Sequence, residues 1–189
     1  MTVGLIKAVL MIGGLSLTMP ALAETTTTLV PSSTANGEWV GQPATDFRLQ
    51  DQEGNWHSLK DYQGKWLVLY FYPLDDSPGC TEEARQFKIL YPEFQVYKTE
   101  VLGISLNSIS SHQSFAHDLG LPFPLLADTE HQMAHDYHVL RGIGFLSYAH
   151  RETFLIDPKG TIVYHYKSVD TQSHAEQVLK DIEQLQAVK

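Results

Sequence analysis

Trp66-Leu67-Val68-Leu69-Tyr70-Phe71-Tyr72-Pro73-Leu74-Asp75-Asp76-Ser77-Pro78-Gly79-Cys80-Thr81-Glu82-Glu83 carries the only cysteine of the chain. Trp66 to Phe71 are continuous, branched and aromatic, the pattern of a strand buried on both faces. Ser77 onward has the chemistry of a helix start. Ser77 suits the N-cap, Pro78 the first helical position, and Glu82 and Glu83 are expected in the first turn, where carboxylates are favoured. Cys80 then falls at about the third helical residue, with its sulfur near backbone N–H groups that have no helical acceptor. Those groups and the positive end of the helix dipole both favour a thiolate over a thiol. A cysteine so placed reads as a nucleophile; the plainer alternative is an inert buried thiol.

With 189 residues the chain has room for one domain and extensions. A net charge of -9 without any basic run argues against nucleic acid and against anionic membrane surfaces as partners. Residues 1–23 read as a signal peptide, with Lys7 in the n-region and an apolar stretch from Ala8 to Leu17 too short to span a bilayer. Ala21-Leu22-Ala23 supplies the cleavage pattern. An uncleaved anchor is the alternative; after cleavage no membrane attachment is expected. Residues 24–38 are small, polar and aperiodic, as in a flexible linker, and the folded domain is expected over 39–189. The chain is therefore expected in the periplasm or an equivalent extracytoplasmic compartment. Structural cysteines there come in pairs, so a lone one is either inert or reactive. The absence of Cys-x-x-Cys rules out dithiol chemistry of the thioredoxin type.

Outward from the opening stretch, Phe47–Gln50 and Trp56–Leu59 flank a turn and predict a hairpin. A helix is expected from Pro78 to Val96, with Ala84, Phe87, Leu90, Tyr91 and Phe94 on one face and Pro92 as a possible kink or end. Val101–Leu106 predicts a second buried strand, Ser111–Leu119 a helix, Phe123–Ala127 a short strand and Glu130–Tyr137 another helix. Thr153–Asp157 and Thr161–Tyr166 form a hairpin around Pro158-Lys159-Gly160, and Ser173–Gln186 is an amphipathic helix. This order implies an α/β domain of thioredoxin-like fold. It has a mixed central sheet, helices on both faces and an N-terminal hairpin extension.

The segment Phe71 to Ala84 closely resembles the active-site segment of the peroxiredoxins, in particular the branch called bacterioferritin comigratory protein or peroxiredoxin Q. Its motif residues fall on Pro73, Ser77 and Cys80. Gly41–Phe47, Gly64-Lys65, Leu121–Asp128 and Arg151–Asp157 look like further family blocks, in family order. The resemblance implies a thiol-dependent peroxidase, without metal, haem or flavin, that reduces hydrogen peroxide and organic hydroperoxides. Cys80 would attack the peroxide and become a sulfenic acid. The Ser77 hydroxyl and the N–H groups of Gly79 and Cys80 would stabilise the leaving oxygen. Pro73 would shield the pocket. Arg151 would cross from a later strand to the sulfur, oriented by Glu83. Phe71 and Tyr72 read either as neighbours of an organic peroxide or as core.

The sequence departs from the family pattern where many members carry a second, resolving cysteine: that position is Arg85. An intramolecular disulfide is impossible, so a thioredoxin-like or glutaredoxin-like protein, a small thiol or a second copy of the chain must reduce the sulfenic acid. A monomer or weak dimer is expected. Asn107 stands where an aspartate is frequent. His131, His135 and His138 have helical spacing, but without a companion ligand they read, like His112 and His117, as solvated histidines rather than a metal site. Two other functions are compatible with the residues: a peroxide-sensing protein in which Cys80 oxidation alters a partner, and a catalytically silent binding module.

Overall fold

The computed structural model describes residues 1–2 and 38–187. The chain divides into two units, Met1–Ser32 and Ser33–Lys189. The signal peptide expected over 1–23, apart from Met1 and Thr2, and the linker expected over 24–38, apart from Glu38, lie outside the described residues. Among the described residues no helix is long and apolar enough to cross a membrane.

The second unit is built around β3 (Trp66–Phe71), whose residues are all buried. The pleat sends alternate side chains to opposite faces. Trp66, Val68 and Tyr70 join one core layer and Leu67, Leu69 and Phe71 the other, which is why the run is apolar throughout. β3 pairs in parallel with β4 (Thr99–Ser105) on one side and antiparallel with β8 (Glu152–Ile156) on the other. The crossover to β4 is α1 (Pro78–Val96). The sheet continues from β4 through parallel β5 (Leu125–Ala127) to the hairpin of β1 (Arg48–Gln50) and β2 (Trp56–Ser58). On the far side β9 (Ile162–Tyr166) closes the order β2-β1-β5-β4-β3-β8-β9. The expected hairpin extension thus extends the central sheet.

α1, α2 (Ile109–Leu119) and α4 (His174–Ala187) supply Phe87, Phe115 and Val178 to the first layer. α3 (Gln132–Asp136) supplies Met133 and Ala134 to the second. Helices on both faces are therefore as expected. α1 runs through Pro92 to Val96 rather than stopping there. α2 begins two residues before the expected Ser111, because Ser108 caps it by accepting from the Ser111 N–H at 3.3 Å. α3 is shorter than expected: His131 (φ 62°) and His138 (φ 57°) adopt left-handed backbone on either side of it. The helical spacing of His131, His135 and His138 is therefore not realised. The short ribbon of β6 (Leu140–Arg141) and β7 (Tyr148–Ala149) has no counterpart in the sequence reading. Two-residue strands lack the length for a period to show.

Candidate active site

The buried end of β3 delivers the chain into a loop, Tyr72 to Ser77, that ends at the N-terminus of α1. Ser77 occupies the N-cap position, but its side chain caps nothing. Its Oγ donates to the Leu74 carbonyl at 3.0 Å instead. The Thr81 N–H is the first to bond back, to the Ser77 carbonyl at 2.9 Å, so the N–H groups of Gly79 and Cys80 precede the helical ladder. Glu82 and Glu83 lie beyond the first turn rather than in it as expected, because with Pro78 as the first helical residue they are the fifth and sixth. Cys80 is the third helical residue, as expected, and is only 1% exposed.

Arg151 immediately precedes β8, and the pairing of Phe71 with Glu152 brings it beside the loop. Its Nη2 lies 3.1 Å from the Cys80 sulfur, and its Nη1 donates to Glu83 Oε2 in a very short contact. Glu83, one turn along from Cys80, is fully buried. Burial pushes its carboxyl up to about 7 despite the pull of Arg151. Burial works against the Arg151 cation too, but Glu83 and then Cys80 outweigh it and hold the guanidinium above its ordinary value. The arrangement sets a fixed positive charge on the sulfur and a carboxylate behind that charge. A Cβ on Gly79 would meet Arg151 Nη2 at 3.4 Å and Thr171 Cγ2 at 3.8 Å, ordinary contact distances, so the helix start packs closely against the guanidinium. Pro73 is partly buried and lines a surface groove with Leu74, Phe145, Leu146 and Tyr148. Phe145 is 96% exposed.

Cys80, Arg151 and Glu83 are thus in direct contact, and Pro73 and Ser77 lie in the adjoining loop. Phe71 and Tyr72 are core: both are buried, and Tyr72 turns its hydroxyl onto Asp75 Oδ1 at 2.8 Å. Sequence reasoning missed Asp75, a buried carboxylate that also receives Ser111 Oγ at 2.6 Å and His112 Nδ1 at 2.9 Å. His112 is fully buried, not solvated as expected from the sequence, because the partner that compensates it lies 37 residues away. His117 is exposed beside Asp118. Asn107 also finds a role here: its Oδ1 accepts from the Asp75 N–H at 3.2 Å and from Ser105 Oγ at 2.9 Å. Arg85, in the position of the absent second cysteine, is exposed on α1.

A thioredoxin-like sheet that presents a lone cysteine at a helix start, with an arginine on its sulfur, defines the class as thiol-dependent peroxidases. The AhpC/TSA family model matches residues 40–165. The chain belongs to that family, and within it to the branch of Bcp and peroxiredoxin Q proteins. It is 34% identical over 151 residues to peroxiredoxin Bcp of Bacillus subtilis (strain 168), across 77% of this chain and 96% of that protein. It is 36% identical over 146 residues to the chloroplastic peroxiredoxin Q of Triticum aestivum, across 77% of this chain and 67% of that one. The solved structure of Xanthomonas campestris bacterioferritin comigratory protein superposes with a TM-score of 0.69 at 33% identity, covering 72% of this chain and 90% of the other.

Proposed function

We propose that this chain reduces hydroperoxides through a cycle that uses Cys80 alone. The observation that carries the reading is the Arg151 guanidinium 3.1 Å from the sulfur of the only cysteine. In the first step the Cys80 thiolate attacks one peroxide oxygen, the O–O bond breaks, and the electron pair leaves on the other oxygen as alkoxide or hydroxide. That oxygen takes a proton to become alcohol or water, and Cys80 becomes a sulfenic acid. Arg151 and the N–H groups of Gly79 and Cys80 are positioned to stabilise the developing negative charge. Glu83 orients Arg151. Pro73 and Ser77 shape the loop in front of the sulfur, and Ser77 can turn its hydroxyl from Leu74 toward bound peroxide.

An outside thiol then displaces the sulfenic oxygen as water and forms a mixed disulfide. A second thiol releases Cys80 and leaves as the external disulfide. The thiol is a thioredoxin-like or glutaredoxin-like protein, a small thiol or a second copy of the chain. Organic hydroperoxides are included because the related X. campestris protein has alkyl peroxide reduction activity. Export to an extracytoplasmic compartment belongs to the same proposal and is supported by the leader pattern of residues 1–23.

Peroxide consumption by the wild type and by Cys80→Ser, across a panel of thiol reductants, tests the cycle. The wild type turns over with at least one reductant and Cys80→Ser with none. Equal rates would sink the assignment, and a single oxidation without turnover would favour a sensor.

A further inference from the structure

The loop between β3 and α1 carries Pro73, Ser77 and the approach to Cys80, yet its own backbone bonds are sparse. The Tyr72 N–H reaches the Ile104 carbonyl at 3.0 Å, and the Ser77 N–H and Oγ both go to the Leu74 carbonyl at 3.5 and 3.0 Å. At the centre of the loop, Asp76 holds a left-handed backbone (φ 59°), a conformation that needs surrounding support in a non-glycine residue. That support comes from Asp75. Its side chain is 2% exposed, and its oxygens receive the Tyr72 hydroxyl, the Ser111 hydroxyl and His112 Nδ1. Its N–H is held by Asn107 Oδ1. Apart from the local Tyr72 bond, these partners lie between the end of β4 and the first turns of α2.

His112 extends the connection one element further. Its Nε2 faces the Leu126 carbonyl of β5 at 3.2 Å, an oxygen that can only accept. Nδ1 faces the Asp75 carboxylate, so each ring nitrogen has an acceptor oxygen in front of it. Asp75 and His112 thus form a buried hydrogen-bonded pair, whose rupture leaves polar groups unsatisfied in the interior. Burial alone would push the Asp75 carboxyl up, but His112, Ser111 and Tyr72 together hold it below its ordinary value.

We propose that the Asp75–His112 pair is a latch that fastens the Pro73–Ser77 segment to α2 and β5, and thereby fixes the approach to Cys80 in the geometry that peroxide attack requires. Asp75 and His112 act as positioning residues, since neither touches the sulfur. The inference rests on the peroxidase reading above. It goes beyond that reading by making the loop between β3 and α1, and the pair that holds it, an element that sets the rate of peroxide attack.

Two rates on the same sulfur test it: oxidation of Cys80 by hydrogen peroxide and alkylation of Cys80 by iodoacetamide, a neutral reagent that needs access but no peroxide geometry. Asp75→Asn and His112→Phe are expected to lower the oxidation rate roughly 10- to 100-fold. Alkylation should rise several-fold as the loop loosens, an effect of roughly the size a shifted local opening equilibrium gives. Ser111→Ala, which removes one bond and keeps the pair, should give an intermediate effect and remains informative if His112→Phe fails to fold. Met133→Ala, a cavity in the opposite core layer, controls for general destabilisation and should leave both rates unchanged at a temperature where it is folded. If Asp75→Asn and Ser111→Ala only lower the melting temperature, with both rates within about twofold of wild type, the latch is wrong. A wild type that consumes no peroxide sinks the underlying peroxidase reading instead, so the two failures are distinct.

Discussion

At the scale of residues, the site is an exercise in placing charge where water is scarce. Cys80 and Glu83 are both essentially buried, one turn apart on α1, and Arg151 bridges them. A buried ion pair is weak evidence for stability, because desolvation consumes most of the attraction. Glu83 shows this directly, since burial raises its carboxyl to about 7 even with a guanidinium on it. The sign of the consequence follows from linkage. A carboxyl that holds its proton more tightly folded than unfolded contributes stability that is fully present below its unfolded value and is lost as pH rises through about 7. Glu83→Gln, which cannot ionise, should therefore gain on the wild type in chemical-denaturation stability between pH 5 and pH 8. A stability difference independent of pH over that interval would show that Glu83 is not held in the way its burial implies.

At the scale of elements, local pattern specified what local contacts decide. The helix start at Ser77-Pro78 and the doubly buried β3 were legible because their signals lie within a few residues. The Ser77 cap was half legible: the position is right, but the hydroxyl serves the Leu74 carbonyl of the loop. α3 is three residues shorter than expected because His131 and His138 adopt left-handed backbone on either side of it, a result that helix spacing does not anticipate. The close approach of β4 to its neighbours is equally a matter of packing. A Cβ on Gly103 would lie 2.6 Å from Leu125 Cδ2 and 2.6 Å from the Tyr70 hydroxyl oxygen. Tyr70 cannot move aside cheaply, since it stacks on Phe87 with centroids 4.7 Å apart. Gly103→Ala should cost about 1–3 kcal/mol by overpacking. Urea unfolding reads this directly, and a change under about 0.5 kcal/mol would mean that the ring yields more readily than its stacking suggests.

At the scale of the whole molecule, the sheet brings together what the chain separates. Arg151 reaches Cys80 across 71 residues, and His112 reaches Asp75 across 37. The first pairing was legible only through the family resemblance. The second was not legible, because nothing in the spacing of a lone aspartate and a lone histidine tells a buried pair from two solvated side chains. Similarly, Asn107 has no meaning until β4 and the loop after β3 are side by side. The absence of a second cysteine has the opposite character: it is plain in the sequence, and in the proposed cycle it makes the recovery of Cys80 an intermolecular event. In the proposed cycle the fold carries Arg151 to the sulfur so that its charge drives peroxide reduction. The most direct measurement is the rate at which hydrogen peroxide oxidises Cys80 in the wild type and in Arg151→Met, both checked for folding. A loss of roughly a hundredfold or more is expected in the variant, the scale of removing one preorganised donor from a developing oxyanion. Equal rates in the two proteins would contradict it.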